Sequence, residues 1–498
     1  MLHRLLHDIH PALLALCFVA CTSSSATRDA DGGSLADMAM DSAVAPEPPD
    51  LMPVPLILSS VSPGVVVNSA TSKLALRGRG FQTGARVLIN GIEASGAVVN
   101  SSQDISVTAL PRAGFCGLLR VEVVNPDGQS AGGDGLLHYV SATPLYYKST
   151  VTLSANQSGV ATGDLNGDGK PDLAVFGSSS TTLYLANGNG DGTFGTPTSM
   201  TLAAAPSQVK LGDINGDRRA DIITLMSDQS SRYYYSQPAG TYSTGGGLSQ
   251  SAATLLDTNG DGLLDVYSAS TYYAGIASYP QIQIGTSLSN GTSYTYSSSL
   301  VSYSRSGPKI LVADVNNDMR PDVLVQEGYY SGFGSTYYPG SGSIIALGTS
   351  TGGWTRNLIL THPGYDPVAF ADFDGNGTAD LLMSSNSKVQ LHRGTGTGFF
   401  LQPESYSTPD TNNQVVGAVV GEYSNDGRTD VALLDRITGK LAFLYGYYGD
   451  AALQVAGSAT LIGGYPSAMA SEDFDGDGRK DFVVVKGMSA DIYLGQCQ

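Results

Sequence analysis

From residue 55 to 142, hydrophobic and polar positions alternate with period two. The pattern runs through "KLALRGRGF", "ARVLING", "DISVTAL", "LLRVEVVNPDGQSA" and "LLHYV". Period two places alternate side chains on opposite faces of a strand, and "NG" and "NPDG" between the runs are hairpin turns. The segment therefore reads as a small antiparallel β-sandwich. From residue 145 the pattern changes to short apolar runs in sets of three. One run ("GVATG", "KILVA") precedes an acidic loop. A second ("LAVF", "IITL", "VLVQ", "VALL") follows it. A third ("TLYLA", "SIIALG", "VQLHR", "LAFLYG") ends in a glycine-rich hairpin.

The acidic loop is the repeating unit. It reads "DLNGDGKPD" from Asp164, "DINGDRRAD" from Asp213, "DTNGDGLLD" from Asp257, "DVNNDMRPD" from Asp314, "DFDGNGTAD" from Asp372, "EYSNDGRTD" from Glu422 and "DFDGDGRKD" from Asp473. Successive starts lie 49, 44, 57, 58, 50 and 51 residues apart, a period that marks an internal repeat rather than a lone site.

Oxygen-bearing side chains recur at every second position, which suits a hard cation with six to eight oxygen ligands; Asp and Asn in place of His and Cys argue against zinc. Positions 1, 3, 5 and 9 offer side chains and position 7 its carbonyl. The candidate calcium ligands are Asp164, Asn166, Asp168, Lys170 and Asp172 in loop one. Loop two offers Asp213, Asn215, Asp217, Arg219 and Asp221, and loop three Asp257, Asn259, Asp261, Leu263 and Asp265. Loop four offers Asp314, Asn316, Asp318, Arg320 and Asp322, and loop five Asp372, Asp374, Asn376, Thr378 and Asp380. Loop six offers Glu422, Ser424, Asp426, Arg428 and Asp430, and loop seven Asp473, Asp475, Asp477, Arg479 and Asp481. Loops two, four and six are expected to bind most weakly. Arg218 and Met319 occupy the bend position that favours Gly, and loop six starts with Glu422 and has Ser424 third. A tight site on every repeat fits a structural ion better than a catalytic one.

These loops resemble the FG-GAP/VCBS repeats of the integrin α-chain head, across residues 145–498. The resemblance implies a calcium-bearing β-propeller, and seven loops imply seven blades. The last blade, ending "DIYLGQCQ", is one strand short, so residues 145–153 are expected to supply its outer strand and close the ring. The preceding module, residues 55–142, resembles the IPT/TIG immunoglobulin-like family in "SVSP", "LRGRGF" and "VVNPDGQS"; that family serves as a spacer or binding platform.

Composition sharpens this all-β reading. There are 62 Gly and 27 Tyr but only 14% charged residues, which suits short strands and tight turns. The formal net charge of −18 argues against nucleic acid. The loops hold half of the 44 acidic residues, so bound divalent ions would offset much of that charge. Tyr, Ser and Gly together make adaptable binding surfaces, and Tyr233, Tyr234, Tyr235, Tyr337 and Tyr338 are candidates for a ligand face. The competing reading is that tyrosines simply favour strands. No catalytic constellation is visible. "GTSTG", Gly348 to Gly352, has the nucleophile-elbow spacing but sits where other repeats have hairpins.

The N-terminus carries an apolar run from Ala12 to Ala20 that is too short to span a bilayer. "FVAC" resembles a bacterial lipobox, with Phe18 where Leu is usual; this implies residues 1–20 as a lipoprotein signal and Cys21 as the lipidated residue. Thr22 after the Cys implies the outer membrane. Residues 21–54, rich in Ser, Ala, Asp and Pro, read as a disordered tether. Cys116 and Cys497 are the remaining cysteines, candidates for pairing in an oxidising compartment. The expectation is an exported, lipid-anchored calcium-binding surface protein that recognises a glycan or a protein. The alternatives are a secreted polysaccharide-active enzyme and a purely structural surface component.

Overall fold

The computed structural model describes residues 54–226, 230–245, 252–257, 264–273, 280–287, 294–300, 309–331, 336–350, 354–362, 364–385, 388–407, 415–447, 452–455 and 460–497. The signal segment, Cys21, most of the tether, and Asn259, Asp261 and Leu263 of loop three lie outside these residues. Among the described residues the regular structure is entirely β.

The N-terminal module is a two-sheet sandwich. One sheet places Ser72–Arg79 and Asp104–Ala109 at its centre, flanked by Ile57–Ser62 and Ser95–Ser101. The other centres on Gly117–Val124 and Ser130–Val140. The alternation is as read: Leu74, Leu76, Ile105, Val107, Val121, Val123 and Leu137 point inward and form one core. Asn90 and Gly91 take φ of 52° and 76° between Arg86–Ile89 and Ile92–Glu93, the turn that "NG" predicts. One pairing departs from the antiparallel expectation, since Val65–Val67 runs parallel to Ser130–Val140. The crossing strand leaves the first sheet to join the second, and so it arrives in the same direction as its new neighbour.

Seven antiparallel sheets follow, six of four strands and the sixth blade's of five, where Thr460–Leu461 also pairs with Lys440–Gly446. Blade one is Gly159–Gly163, Asp172–Phe176, Thr182–Ala186 and Thr198–Thr201. The first strands of the blades contact one another in sequence, and those of blades one and seven touch, so the ring is closed. The second strands of blades one, two and six, "DLAVF", "DIITLM" and "DVALLD", are buried along their whole length. Each lies between two neighbouring blades, so both faces must be apolar, which explains continuous runs in place of alternation. Leu173 and Val175 of blade one pack with Val483 and Ile492 of blade seven, while Ala174, Phe176 and Leu183 pack with Val209 and Ile222 of blade two.

Closure happens as expected from the missing strand. Leu145–Thr152 pairs antiparallel with Ser489–Gly495 as the outer strand of blade seven. A disulfide joins Cys116 to Cys497, with Cα atoms 5.8 Å apart across a sequence separation of 381. It ties the sandwich to the blade that completes the ring.

Candidate metal loops and the central channel

Each acidic loop connects the first strand of a blade to the second. Its hydrogen bonds repeat from blade to blade. The position 1 carboxylate folds back over the turn: Asp164 Oδ1 accepts from the Gly167 amide at 2.7 Å and Oδ2 from the Gly169 amide at 2.7 Å. Asp372 does the same with Gly375 and Gly377, and Asp473 with Gly476 and Gly478. These bonds require a left-handed backbone at positions 4 and 6, and Gly167 and Gly169 take φ of 78° and 81°. Arg218 and Met319 are forced into the same region at position 6, with φ of 67° and 62°.

The position 9 aspartate plays a part that spacing alone did not reveal. Asp172, Asp221, Asp322, Asp380, Asp430 and Asp481 are all essentially inaccessible to solvent. Each accepts two backbone amides. Asp172 Oδ2 takes that of Leu165, early in its own loop, at 2.8 Å, and Oδ1 that of Gly188, beyond the third strand, at 2.8 Å. Asp481 joins Phe474 to Gly495 in the same way, at 2.8 Å each. One carboxylate thus pins the loop to the far hairpin of its blade.

The residue at that hairpin is Gly188, Gly348, Gly394, Gly446 or Gly495. A Cβ on Gly188 would lie 2.2 Å from the carbonyl oxygen of Pro171, at position 8. Blade two solves the same crowding differently. Its Ser236 donates from Oγ to the position 8 carbonyl of Ala220 at 2.6 Å. The glycine-rich hairpins noted in the sequence are therefore partly a docking surface for this aspartate.

Burial pushes these carboxyls up, partly offset by the two amides, with the neighbouring loop acids adding repulsion. Asp172, Asp221, Asp322 and Asp380 rise to about 6 and Asp481 to about 7. Asp430 is raised well above the ordinary carboxylate value by the same burial.

The geometry fits a cation best in loops five and seven. Asp372, Asp374 and Asp380 bring ligand oxygens within 4.8 Å of one another, as do Asp473, Asp475 and Asp481. Hard carboxylate oxygens grouped this closely are the donor set that Ca²⁺ takes. In loops two, four and seven the position 7 arginine leans on the position 5 acid: Arg219 reaches Asp217 at 3.5 Å, Arg320 reaches Asp318 at 3.0 Å and Arg479 reaches Asp477 at 3.5 Å, while in loop five Arg393 reaches Asp374 at 3.4 Å.

Loop six is the most altered of the candidate metal loops. Asp426 Oδ2 lies 3.0 Å from His138 Nδ1 of the sandwich, and both side chains are fully buried. Arg428 Nε lies 3.8 Å from the same oxygen, and its guanidinium donates to Gly135 O at 3.2 Å. Burial alone would push the Asp426 carboxyl up; His138, with help from Arg428, outweighs it and holds the group below the ordinary carboxylate value. The oxygen that would face a cation faces the His138 ring and the Arg428 guanidinium instead. At position 1, Glu422 carries an extra methylene, and its Oε1 accepts from the amides at positions 3 and 5, Ser424 and Asp426.

The tyrosine face needs correction. Tyr233 and Tyr234 are buried, 4% and 6% exposed, and pack into the clusters on either side of blade two. Their strand, Ser231–Ser236, lies inside the sheet, so both rings meet neighbouring blades. Tyr235 is half-buried. Tyr337 and Tyr338 lie in Thr336–Gly348, with backbones paired to Tyr330 and Tyr329. "GTSTG" begins at Gly348, the end of that strand, which pairs antiparallel with Trp354–Thr361, as a hairpin should. A serine–histidine contact does exist, Ser343 Oγ to His362 Nε2 at 2.7 Å, but Ser343 is sealed in blade four and presents nothing to a substrate.

Sequence reading also missed the channel. The first strands enclose adjoining cavities of about 310 and 420 Å³, both bordered by Lys210.

Residues 133–224, 257–325 and 372–433 match the FG-GAP-like repeat, and these stretches fall largely on blades of the seven-bladed propeller. No curated protein matches the chain in sequence. Among solved structures, an Agrocybe aegerita lectin that recognises non-reducing terminal N-acetylglucosamine is 16% identical, over 61% of this chain and 80% of the lectin, with a TM-score of 0.40. An auxiliary nutrient binding protein of Bacteroides thetaiotaomicron is 12% identical over 89% of this chain and 98% of its own, with a TM-score of 0.35. A Bacillus licheniformis rhamnogalacturonan lyase is 12% identical over 89% and 90%, with a TM-score of 0.39.

Proposed function

We propose that this chain is an exported recognition protein whose propeller is braced by calcium and whose ligand is a glycan or a surface protein. The observation that carries the reading is the repeated loop. Several blades spend their acids on the same local scaffold, which supports a rigid platform rather than a single reactive centre. Asp372, Asp374 and Asp380, and Asp473, Asp475 and Asp481, would hold the ions; loop one, with Asp164, Asp168 and Asp172, is the next best donor set. Bound calcium would neutralise the clustered carboxylates and fix the turn between the first two strands. Export is supported by the Cys116–Cys497 disulfide, a bond characteristic of oxidising compartments. The lipobox-like leader supports a membrane anchor on Cys21 at the outer membrane.

The test is a glycan array probed with the mature chain in calcium and again in chelator. Calcium-dependent binding to a defined set of glycans is the expected result. A blank array from protein that is folded in calcium would refute glycan recognition and move the search to protein partners.

A further inference from the structure

Aligning the repeats on the first loop residue places Lys210 level with Ala161, Thr254, Leu311, Ala369, Val419 and Ala470. Six blades put a small, apolar or hydroxyl residue there and one puts a lysine. The repeat does not require it, so the lysine sets this blade apart within the channel. Lys210 has no ion-pair partner among the described residues, and its side chain stands exposed in the channel rather than packed. Protein nonetheless surrounds it, and loss of solvation pushes its amine below the ordinary lysine value. The other channel lysine is already matched: Lys309 Nζ meets Asp366 Oδ2 at 3.1 Å, and Asp366 Oδ1 accepts from Gln326 at 2.7 Å.

We propose that the propeller's central channel is a binding site for a small, singly charged carboxylate that also carries hydroxyls, such as a sugar acid, with Lys210 as its cationic contact. One unmatched positive charge calls for one negative charge, which favours a carboxylate over a phosphate dianion. Thr162, Gln208, Ser384 and Ser471 add hydroxyl and amide groups to walls that also carry the Lys309–Asp366 pair among aliphatic side chains. Cavities of about 310 and 420 Å³ are of the size that takes a sugar ring. In a protein of net charge −18, long-range attraction does not bring an anion here, so the selection is local. The inference deepens the recognition reading and rests on it.

The test is calorimetric titration of the full chain with glucuronate, with glucose, acetate and inorganic phosphate as comparison probes. Glucuronate is expected to bind and glucose not to. Lys210→Met should weaken glucuronate binding at least tenfold, while Lys388→Met, on an outward part of blade five, should not change it. Equal glucuronate affinity in Lys210→Met, or no glucuronate binding by folded wild-type protein, would overturn the proposal. Acetate or phosphate binding as tightly as glucuronate would overturn the sugar-acid assignment. Neutral glycans bound on the array and unaffected by Lys210→Met would sink the channel site while leaving the recognition reading standing.

Discussion

Loops six and seven began as the same nine-residue device and now answer the same electrostatic problem in different ways. Loop seven keeps four carboxylates at its ligand positions, and three of them, the half-buried Asp473 and Asp475 and the buried Asp481, lie within 4.8 Å of one another. Loop six has exchanged solvent for a neighbouring domain. His138 and Arg428 meet the Asp426 carboxylate, and the loop has become the seat of the sandwich. Around it, Tyr447 donates from its hydroxyl to Val61 O at 2.9 Å, and Gln454 Oε1 accepts the amides of Gly64 and Val65 at 3.1 Å each. A repeat can therefore keep its backbone while side chains of a neighbouring module become the partners of one of its loop acids.

The largest effect that separates the two loops should come from chelation. Each ion at a concentration about 100 times its Kd adds about 2.7 kcal/mol, so several occupied loops should make the chelated protein melt many degrees lower. Asp473→Asn with Asp475→Asn should abolish one calcium equivalent in a stoichiometric titration, and Glu422→Gln with Ser424→Ala none. Loss of a calcium equivalent from the loop six variant would undo the contrast.

Asp481→Ala comes next. It leaves the amides of Phe474 and Gly495 without their acceptor, at about 1–3 kcal/mol each. A denaturant titration should show the loss in chelator as well as in calcium, because the brace does not depend on the ion. Asp430→Ala should cost as much, since position 9 has the same amides in loop six, from Tyr423 and Gly446.

His138→Ala should be milder in calorimetry but qualitatively different. Leaving Asp426 buried beside a single cation costs about 3 kcal/mol or more if the domains stay together. Separation of the sandwich relieves that cost, so the expected sign is two melting transitions instead of one, with calcium stoichiometry unchanged. The single transition should return on Asp426→Asn in the same background.

The smallest effect is a pH trend that reverses with calcium. The position 9 carboxyls have folded values raised to about 6 to 7, so between the ordinary value of 3.8 and those values the native state holds more protons than the unfolded one. Stability of the chelated protein should therefore fall as pH rises from about 4 to 7. In calcium, protons and ions compete for the loop acids, and the trend should flatten or invert. Urea midpoints at matched ionic strength would show it.

Much of this architecture was legible because repetition multiplies a weak signal. One "DLNGDGKPD" is a modest motif; seven at a near-constant period fix the strand–loop–strand unit and the blade number. The strand that closes the ring was legible as a shortage in blade seven, and the cysteine pair by elimination. What stayed hidden depends on contacts between distant parts of the chain. Nothing near Asp426 announces that a histidine 288 positions earlier meets its carboxylate. Tyr233 and Tyr234 look like surface residues because their strand is rich in Ser and Tyr, yet blade-to-blade packing covers both faces. The double bonding of each position 9 aspartate could have been suspected from a glycine that recurs after the third strand, as at Gly188, Gly394 and Gly446. Lys210 shows itself only once the repeats are superposed.

The outer strand of blade seven has a consequence for biogenesis. Leu145–Thr152 is made early and its partner Ser489–Gly495 late, with Cys497 two residues beyond. A chain still emerging from a ribosome or a translocon can form blades one to six, but it cannot seal the ring or oxidise Cys116 with its native partner. The thiol of Cys116 is then a reporter of synthesis status: reactive in every unfinished or truncated chain, and silent once the final strand has docked.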